Sequence, residues 1–146
     1  MRSGPGPGPW NMALDEAIFQ QYLERRSPPT LRVYGWESPC LTVGYSQSVA
    51  RDVDLARCQA EGIPVVRRPT GGRAILHEDE ATFSLVGPAP EGSIARSYDQ
   101  VARGVVLALA ALGLKAEMAG PRGKWDGFQR TGACFDSAFG HEIVLG

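Results

Sequence analysis

The sequence predicts an α+β domain, on three observations. Helical and strand periodicities both occur, several strand-like runs follow one another with no helix between them, and 43% of the 146 residues are hydrophobic. A doubly wound parallel sheet would place a helix after nearly every strand, so adjacent strands favour the α+β class. The length suits one domain. Met1 to Pro9 is rich in Gly and Pro and is expected to be extended and flexible, which leaves 10–146 as the folded part.

The elements follow in order. Asn11 reads as a helix N-cap, with Asp15 and Glu16 in the first turn. Leu14, Ile18 and Tyr22 recur every four residues, flanked by Met12 and Phe19, so Asn11 to Arg25 reads as an amphipathic helix. Ser27-Pro28-Pro29 ends it. Leu31 to Trp36 and Cys40 to Tyr45 read as strands separated by a turn at Ser38-Pro39. Asp52 to Glu61 reads as a short helix closed by Gly62. Strands are expected at Ile63–Arg68, Arg73–His77 and Thr82–Val86. Ser97 opens the longest helix, with capping-box spacing to Gln100 and a stripe of Val101, Val105, Leu109 and Leu112. Gly113 ends it, Leu114 to Met118 reads as a strand, Ala119 to Gly132 as a loop, and His141 to Leu145 as a last strand.

Composition narrows the function. A formal net charge of −1 points to neither nucleic acid nor a membrane surface as partner. Lys115 and Lys124 are the two lysines, and every other cationic side chain is an arginine, whose planar fork suits carboxylates and phosphates. Cys40, Cys58 and Cys134 are odd in number and widely spaced, which argues against a disulfide framework or a CxxC metal site and for a reducing cytoplasm. The Gly/Pro start lacks the apolar core of a secretory signal, and no apolar run approaches the ~20 residues of a membrane span.

Three places could carry chemistry. Arg67-Arg68-Pro69-Thr70-Gly71-Gly72 sits between two strands, where glycines let backbone N–H groups approach an anion. Strand alternation sends Arg67 and Arg68 to opposite faces. An ordinary turn with solvated arginines fits the spacing too. His77, before Glu78, Asp79 and Glu80, suits a proton shuttle or a structural histidine, and no second histidine stands at metal-ligand spacing. Cys134 follows a Gly-rich loop, and a thiolate there would be the natural nucleophile for thioester exchange; lone cysteines also serve as buried apolar groups.

Taken together, four segments resemble the lipoate-protein ligase A and octanoyltransferase family, in the family's order. They are Asn11-Met12-Ala13-Leu14-Asp15-Glu16-Ala17, Val43-Gly44-Tyr45-Ser46-Gln47, Arg67 through His77, and Ala133-Cys134-Phe135-Asp136. The arginine-to-histidine segment is highly specific; the others persuade jointly. The resemblance implies a class II synthetase-like, biotin-protein-ligase-like mixed sheet packed with helices. Arg73 stands where the ATP-dependent ligases carry a third glycine, and with the Cys134 segment it looks like the LipM-type octanoyltransferases.

That likeness implies Cys134 as the nucleophile, and Arg67, Arg68, Thr70, Gly71, Gly72, Arg73 and His77 as substrate-binding residues. It implies octanoyl-acyl carrier protein as donor, a lipoyl domain such as the glycine-cleavage H protein as acceptor, and no cofactor. ATP and magnesium would enter only for a ligase. The acyl slot is expected along Thr70 to Leu76. A cysteine hydrolase with His77 as base, or a non-catalytic acyl- or carrier-binding module, are the readings from other classes.

The family's lysine lies in a segment resembling Gly-Arg-Lys-Leu-Val-Gly-Ser-Ala, and the chain stops at Gly146, where that segment should begin. Neither Lys115 nor Lys124 matches it. The 146 residues are therefore expected to be the N-terminal part of such a domain, with a sheet incomplete at the C-terminal end and weak or no turnover. A turnover rate equal to that of a full-length relative would overturn this expectation.

Overall fold

The computed structural model describes residues 1–89, 94–118 and 143–145. They fall into two compact units, residues 1–88 and the rest.

In the first unit, two prolines bracket a helix start. Proline fixes φ near about −65° and has no amide N–H to leave unpaired, so it suits the first helical turn. α1 accordingly spans Gly8–Leu23 with Pro7 at its N-cap. This corrects the expected cap at Asn11, which lies inside the helix, and moves Asp15 and Glu16 out of the first turn. The buried residues of α1 are Gly8, Asn11, Met12 and Asp15, while Leu14, Ile18 and Tyr22 are half-buried. The face that packs inward is thus partly polar, because a cation waits beneath it.

That cation is Arg32, on β1 (Thr30–Tyr34). Its guanidinium is 1% exposed and bonds in every direction. Nη1 donates to Asp15 Oδ1 at 2.7 Å and to the Asn11 carbonyl at 3.1 Å. Nη2 donates to Asn11 Oδ1 at 2.7 Å, and Nε to Ser3 Oγ at 3.1 Å. The Tyr34 and Ser84 hydroxyls complete the Asp15 carboxylate at 2.8 and 2.7 Å. Burial first, then the Asp15 bond, pushes the Tyr34 hydroxyl well above its ordinary pKa and keeps it a donor. A buried charge is tolerated when it is paired and its remaining groups are hydrogen-bonded, and both conditions hold.

β1 pairs antiparallel with β5 (Thr82–Val86), in a register that sets Arg32 against Ser84. The first residues are extended, as the Gly/Pro content suggests, but they are tied down rather than loose. Ser3 N–H donates to the Val33 carbonyl at 2.9 Å and Val33 N–H to the Met1 carbonyl at 3.1 Å. Parallel bridges join Arg2 to Val33 and Gly6 to Trp36. Asn11 Nδ2 adds bonds to the carbonyls of Gly6 and Gly35 at 3.1 and 2.9 Å.

The second sheet has the order β3-β2-β4. β2 (Cys40–Val43) lies at its centre, parallel to β3 (Val65–Arg67) and antiparallel to β4 (Ile75–His77). Between β2 and β3 the single expected helix is two short ones, α2 (Val49–Asp52) and α3 (Leu55–Ala60). The break follows from Asp54, whose side chain accepts from the Arg57 N–H at 3.0 Å and caps a new helix. α1 packs on β2, β3 and β5. Met12, Tyr34, Trp36 and Cys40 form the core cluster, with Val66 against it.

In the second unit α4 spans Ile94–Ala111, so Ser97 lies one turn inside the helix rather than at its cap. Val101, Val105 and Leu109 are half-buried and Ala102 is buried, whereas Leu112, past the helix end, is 76% exposed. Gly113 has φ 81°, a left-handed stop that favours glycine. β6 (Ala116–Met118) pairs antiparallel with β7 (Ile143–Leu145). Among the described residues no helix is long and apolar enough to cross a membrane.

Removing one partner of a buried pair strands the other. Asp15→Ala should therefore lower unfolding free energy by about 3–5 kcal/mol in urea denaturation. A loss under about 1 kcal/mol would mean that Arg32 finds water instead.

Candidate functional site

The double-glycine turn lies between β3 and β4, and two arginines hold it and the loop after β2 that it touches. Arg67 lies opposite Val43 in the parallel register. Its Nη1 donates to the carbonyls of Gly44, Tyr45 and Gln47 at 2.7, 2.8 and 2.9 Å, which pins the loop after β2. Arg68 turns to the other face. Its Nη1 donates to the Thr42 carbonyl and hydroxyl at 3.3 and 3.2 Å. Its Nη2 donates to the Gly71 and Arg73 carbonyls at 2.8 and 2.7 Å. Both guanidiniums thus bond backbone carbonyls of the loops around the turn.

This clamp orients the turn's amides. A trans peptide is planar, with C=O and the following N–H pointing opposite ways. Because the Gly71 carbonyl faces Arg68, the Gly72 N–H points away from it. The Thr70 carbonyl accepts from the Tyr45 N–H at 2.9 Å, so the Gly71 N–H points away from Tyr45. Thr70, Gly71 and Gly72 are all exposed and Arg73 is half-buried. Gly72 has φ 96°, in the left-handed region. A Cβ at Gly44 would collide with the Gly72 carbonyl, so the loop and the turn touch backbone to backbone.

His77 is 6% exposed and stacked on Trp36, ring centroids 4.0 Å apart at 13°. Nε2 lies 2.9 Å from Thr42 Oγ1, and Nδ1 lies 2.7 Å from Glu80 Oε1. Both ring nitrogens are therefore engaged by neighbours. Glu80 also accepts from the Thr82 hydroxyl at 2.6 Å. Burial alone would raise the Glu80 pKa, but the bonds from Thr82 and His77 hold it below the ordinary carboxylate value. A depressed value means that its share of stability is present at neutral pH and lost as pH falls through it.

Leu41 and Leu76 pair across β2 and β4 and face the opposite side from Cys40 and His77. There, with Val53, Ile63 and Ala74, they line a cavity of about 370 Å³ rimmed by Asp52, Asp54, Arg57 and Glu61. Of the expected acyl-slot residues, Ala74 and Leu76 reach it. Cys40 is fully buried, and burial pushes its thiol up to about 11. Cys58 is half-buried in the same cavity. Cys134 lies outside the described residues. Among the described residues no cluster of His, Cys, Asp and Glu could hold a metal ion.

The lipoyl protein ligase A/B catalytic domain matches residues 7–140. The chain belongs to this family. Two relatives are octanoyltransferases LipM. The one from Kyrpidia tusciae is 41% identical over 154 residues, covering 99% of this chain and 56% of the relative. The one from Symbiobacterium thermophilum is 42% identical over 151 residues, covering 99% and 54%. The chain thus spans about half the length of the curated relatives it matches.

A solved structure of a bi-partite lipoate protein ligase and its E2 lipoyl domain from Thermoplasma acidophilum is 31% identical, with a TM-score of 0.67. It covers 80% of this chain and 45% of that one. The α+β fold is that of the lipoate-protein ligases.

The sequence assigns no individual role to Thr42 or Gly44, which touch Arg68 and Gly72, and names Glu80 only among the carboxylates beside His77, which it bonds. Gly44 had a signal, as part of the segment Val43 to Gln47. Thr42 had none, since a threonine inside a strand is common.

Gly44→Ala should displace the turn and cost about 1–3 kcal/mol of stability in urea denaturation, as overpacking does. At pH 8 a thiol-alkylating reagent should label native Cys58 well before Cys40, read by peptide mass spectrometry. A raised value keeps the Cys40 thiol protonated until pH climbs towards 11. Equal labelling rates would contradict its burial.

Proposed function

We propose that the chain acts in octanoyl transfer during protein lipoylation in the cytoplasm. The octanoyl group comes from octanoyl-acyl carrier protein, passes through a thioester on Cys134, and goes to a lysine of a lipoyl domain such as the glycine-cleavage H protein. The observation that supports this reading is the identity of about two residues in five with octanoyltransferases LipM along nearly the whole chain.

The chemistry balances without a cofactor. The Cys134 thiolate adds to the thioester carbonyl. The bond from that carbon to the carrier's sulfur breaks, and the carrier thiolate leaves and takes up a proton. The acceptor amine then adds to the acyl carbon, the bond to Cys134 breaks, and the amine's surplus proton passes to solvent or a base. Each addition makes an oxyanion. The Gly72 N–H, turned away from Arg68, is the donor we assign to it, and one such donor is typically worth about 3 kcal/mol. The acyl tail binds through apolar contact, at ~0.8 kcal/mol per buried methylene. His77, with both nitrogens engaged, serves the turn rather than acting as a free base. A thioester is already activated, so ATP and magnesium are not needed.

The chain's likeness to a lipoate protein ligase structure keeps a second reading in view, an ATP-dependent lipoate or octanoate ligase. Incubation with octanoyl-carrier protein, followed by mass spectrometry, separates the two. The transferase reading expects an octanoyl adduct on Cys134 that disappears in Cys134→Ser. ATP-dependent acyl-adenylate formation with no cysteine adduct would replace it with the ligase. Carrier binding with neither product would leave a binding module.

A further inference from the structure

We propose that Glu80 and Thr42 are positioning residues for the double-glycine turn, acting through His77 and Arg68. This rests on the reading that the turn receives the acyl thioester. Each group's capacity to donate or accept a proton constrains the pattern of bonds. Arginine and the indole N–H donate only, an ionised carboxylate accepts only, and a hydroxyl donates its single proton and accepts on two lone pairs.

Arg68 and Trp36 stand at the two ends of one continuous chain of bonds, and Glu80 stands in the middle. From one end, Arg68 Nη1 donates to Thr42 Oγ1 at 3.2 Å. Thr42 Oγ1 in turn lies 2.9 Å from His77 Nε2. The carboxylate accepts only, so Nδ1 carries a proton and donates it to Glu80 Oε1 at 2.7 Å, and in the neutral ring Nε2 is then bare and takes the Thr42 proton. From the other end, Trp36 Nε1 donates to Thr82 Oγ1 at 2.8 Å, and Thr82 donates to Glu80 Oε1 at 2.6 Å. Every proton runs toward Glu80. The carboxylate is the sink that sets the direction of the whole chain and selects the Nδ1–H tautomer of His77. Stacking on Trp36 holds the ring in the plane this requires.

The consequence reaches the turn. Without the carboxylate, His77 is released to its Nε2–H tautomer, which donates to Thr42. The Thr42 oxygen then accepts from both His77 and Arg68 and no longer donates into the ring, which makes it a weaker acceptor for each. The Arg68 bond to Thr42 weakens, and with it the grip of the same guanidinium on the Gly71 and Arg73 carbonyls. The peptide that aims the Gly72 N–H loses its anchor.

Two readouts test this without any acyl substrate. Ring ¹⁵N shifts report the His77 tautomer, with His141 as the second histidine to assign. Amide exchange at Tyr45, whose N–H bonds the Thr70 carbonyl, reports the hold on the turn. Native protein should show Nδ1–H. Glu80→Ala should bring in Nε2–H and speed Tyr45 exchange about tenfold. Thr42→Val should speed it comparably, Thr42→Ser should restore it, and the double variant Glu80→Ala with Thr42→Val should add little more, as one chain broken twice. Glu80→Leu, which keeps much of the bulk and removes the acceptor, gives the same ring readout if Glu80→Ala does not fold.

An unchanged ring in both Glu80 variants overturns the proposal, and so do exchange effects that multiply. Where the wild type forms the Cys134 adduct, an equal rate in Thr42→Val overturns the positioning role. A wild type that forms no adduct counts against acyl transfer, while the ring and exchange data still judge the chain of bonds.

Discussion

One buried cation organises the first unit. Arg32 joins the first residues, α1 and β1 through Ser3, Asn11 and Asp15, and Ser84 closes the same cluster from β5. In low dielectric an unpaired guanidinium would cost several kcal/mol, so each of these groups must arrive in place for the others to be tolerated. The result is a polar keystone beneath α1 where an apolar contact would be expected. It has directional demands that hydrophobic packing lacks. Its geometry fixes how α1 crosses the sheets, and α1 in turn covers the core of Met12, Tyr34, Trp36 and Cys40.

The second constraint is steric. The loop after β2 and the turn after β3 meet at Gly44 and Gly72 with no side chain between them. Arg67 and Arg68 then hold the two loops from opposite faces of the sheet. A turn made of small residues is pliable by itself, and here its carbonyls are captured so that its amides face outward. Catalytic hydrogen-bond donors act best when their orientation is set before the reaction, because none of their effect is then spent on reorganisation. In this chain Arg68 sets the orientation of the Gly72 amide by holding the Gly71 carbonyl.

The elements were legible in the sequence to within a few residues where the signal was local. Thr82 to Val86, the strand cores near Leu41, Val66 and Leu76, and the glycine stops at Gly62 and Gly113 follow from alternation and from the positive φ that glycine accepts. Helix starts were less legible. Asn11 and Ser97 have good capping chemistry, yet Pro7 and the residues ahead of Ser97 extend the helices beyond them, since a cap residue acts as a cap only where the helix in fact begins. The family itself was legible from four short segments.

Residue types at short spacing are enough to give the class of the fold, the family and the position of the double-glycine turn. Where the charges go is settled by the packed chain. Nothing in the spacing of Asp15 and Arg32 says that they meet, and nothing in Arg67-Arg68 or His77 says that their polar atoms bond the protein's own carbonyls, hydroxyls and carboxylate. Partners 17, 26 and 35 residues apart are chosen by how sheets and helix pack. A hydrogen bond depends on ångströms and angles that local sequence does not carry.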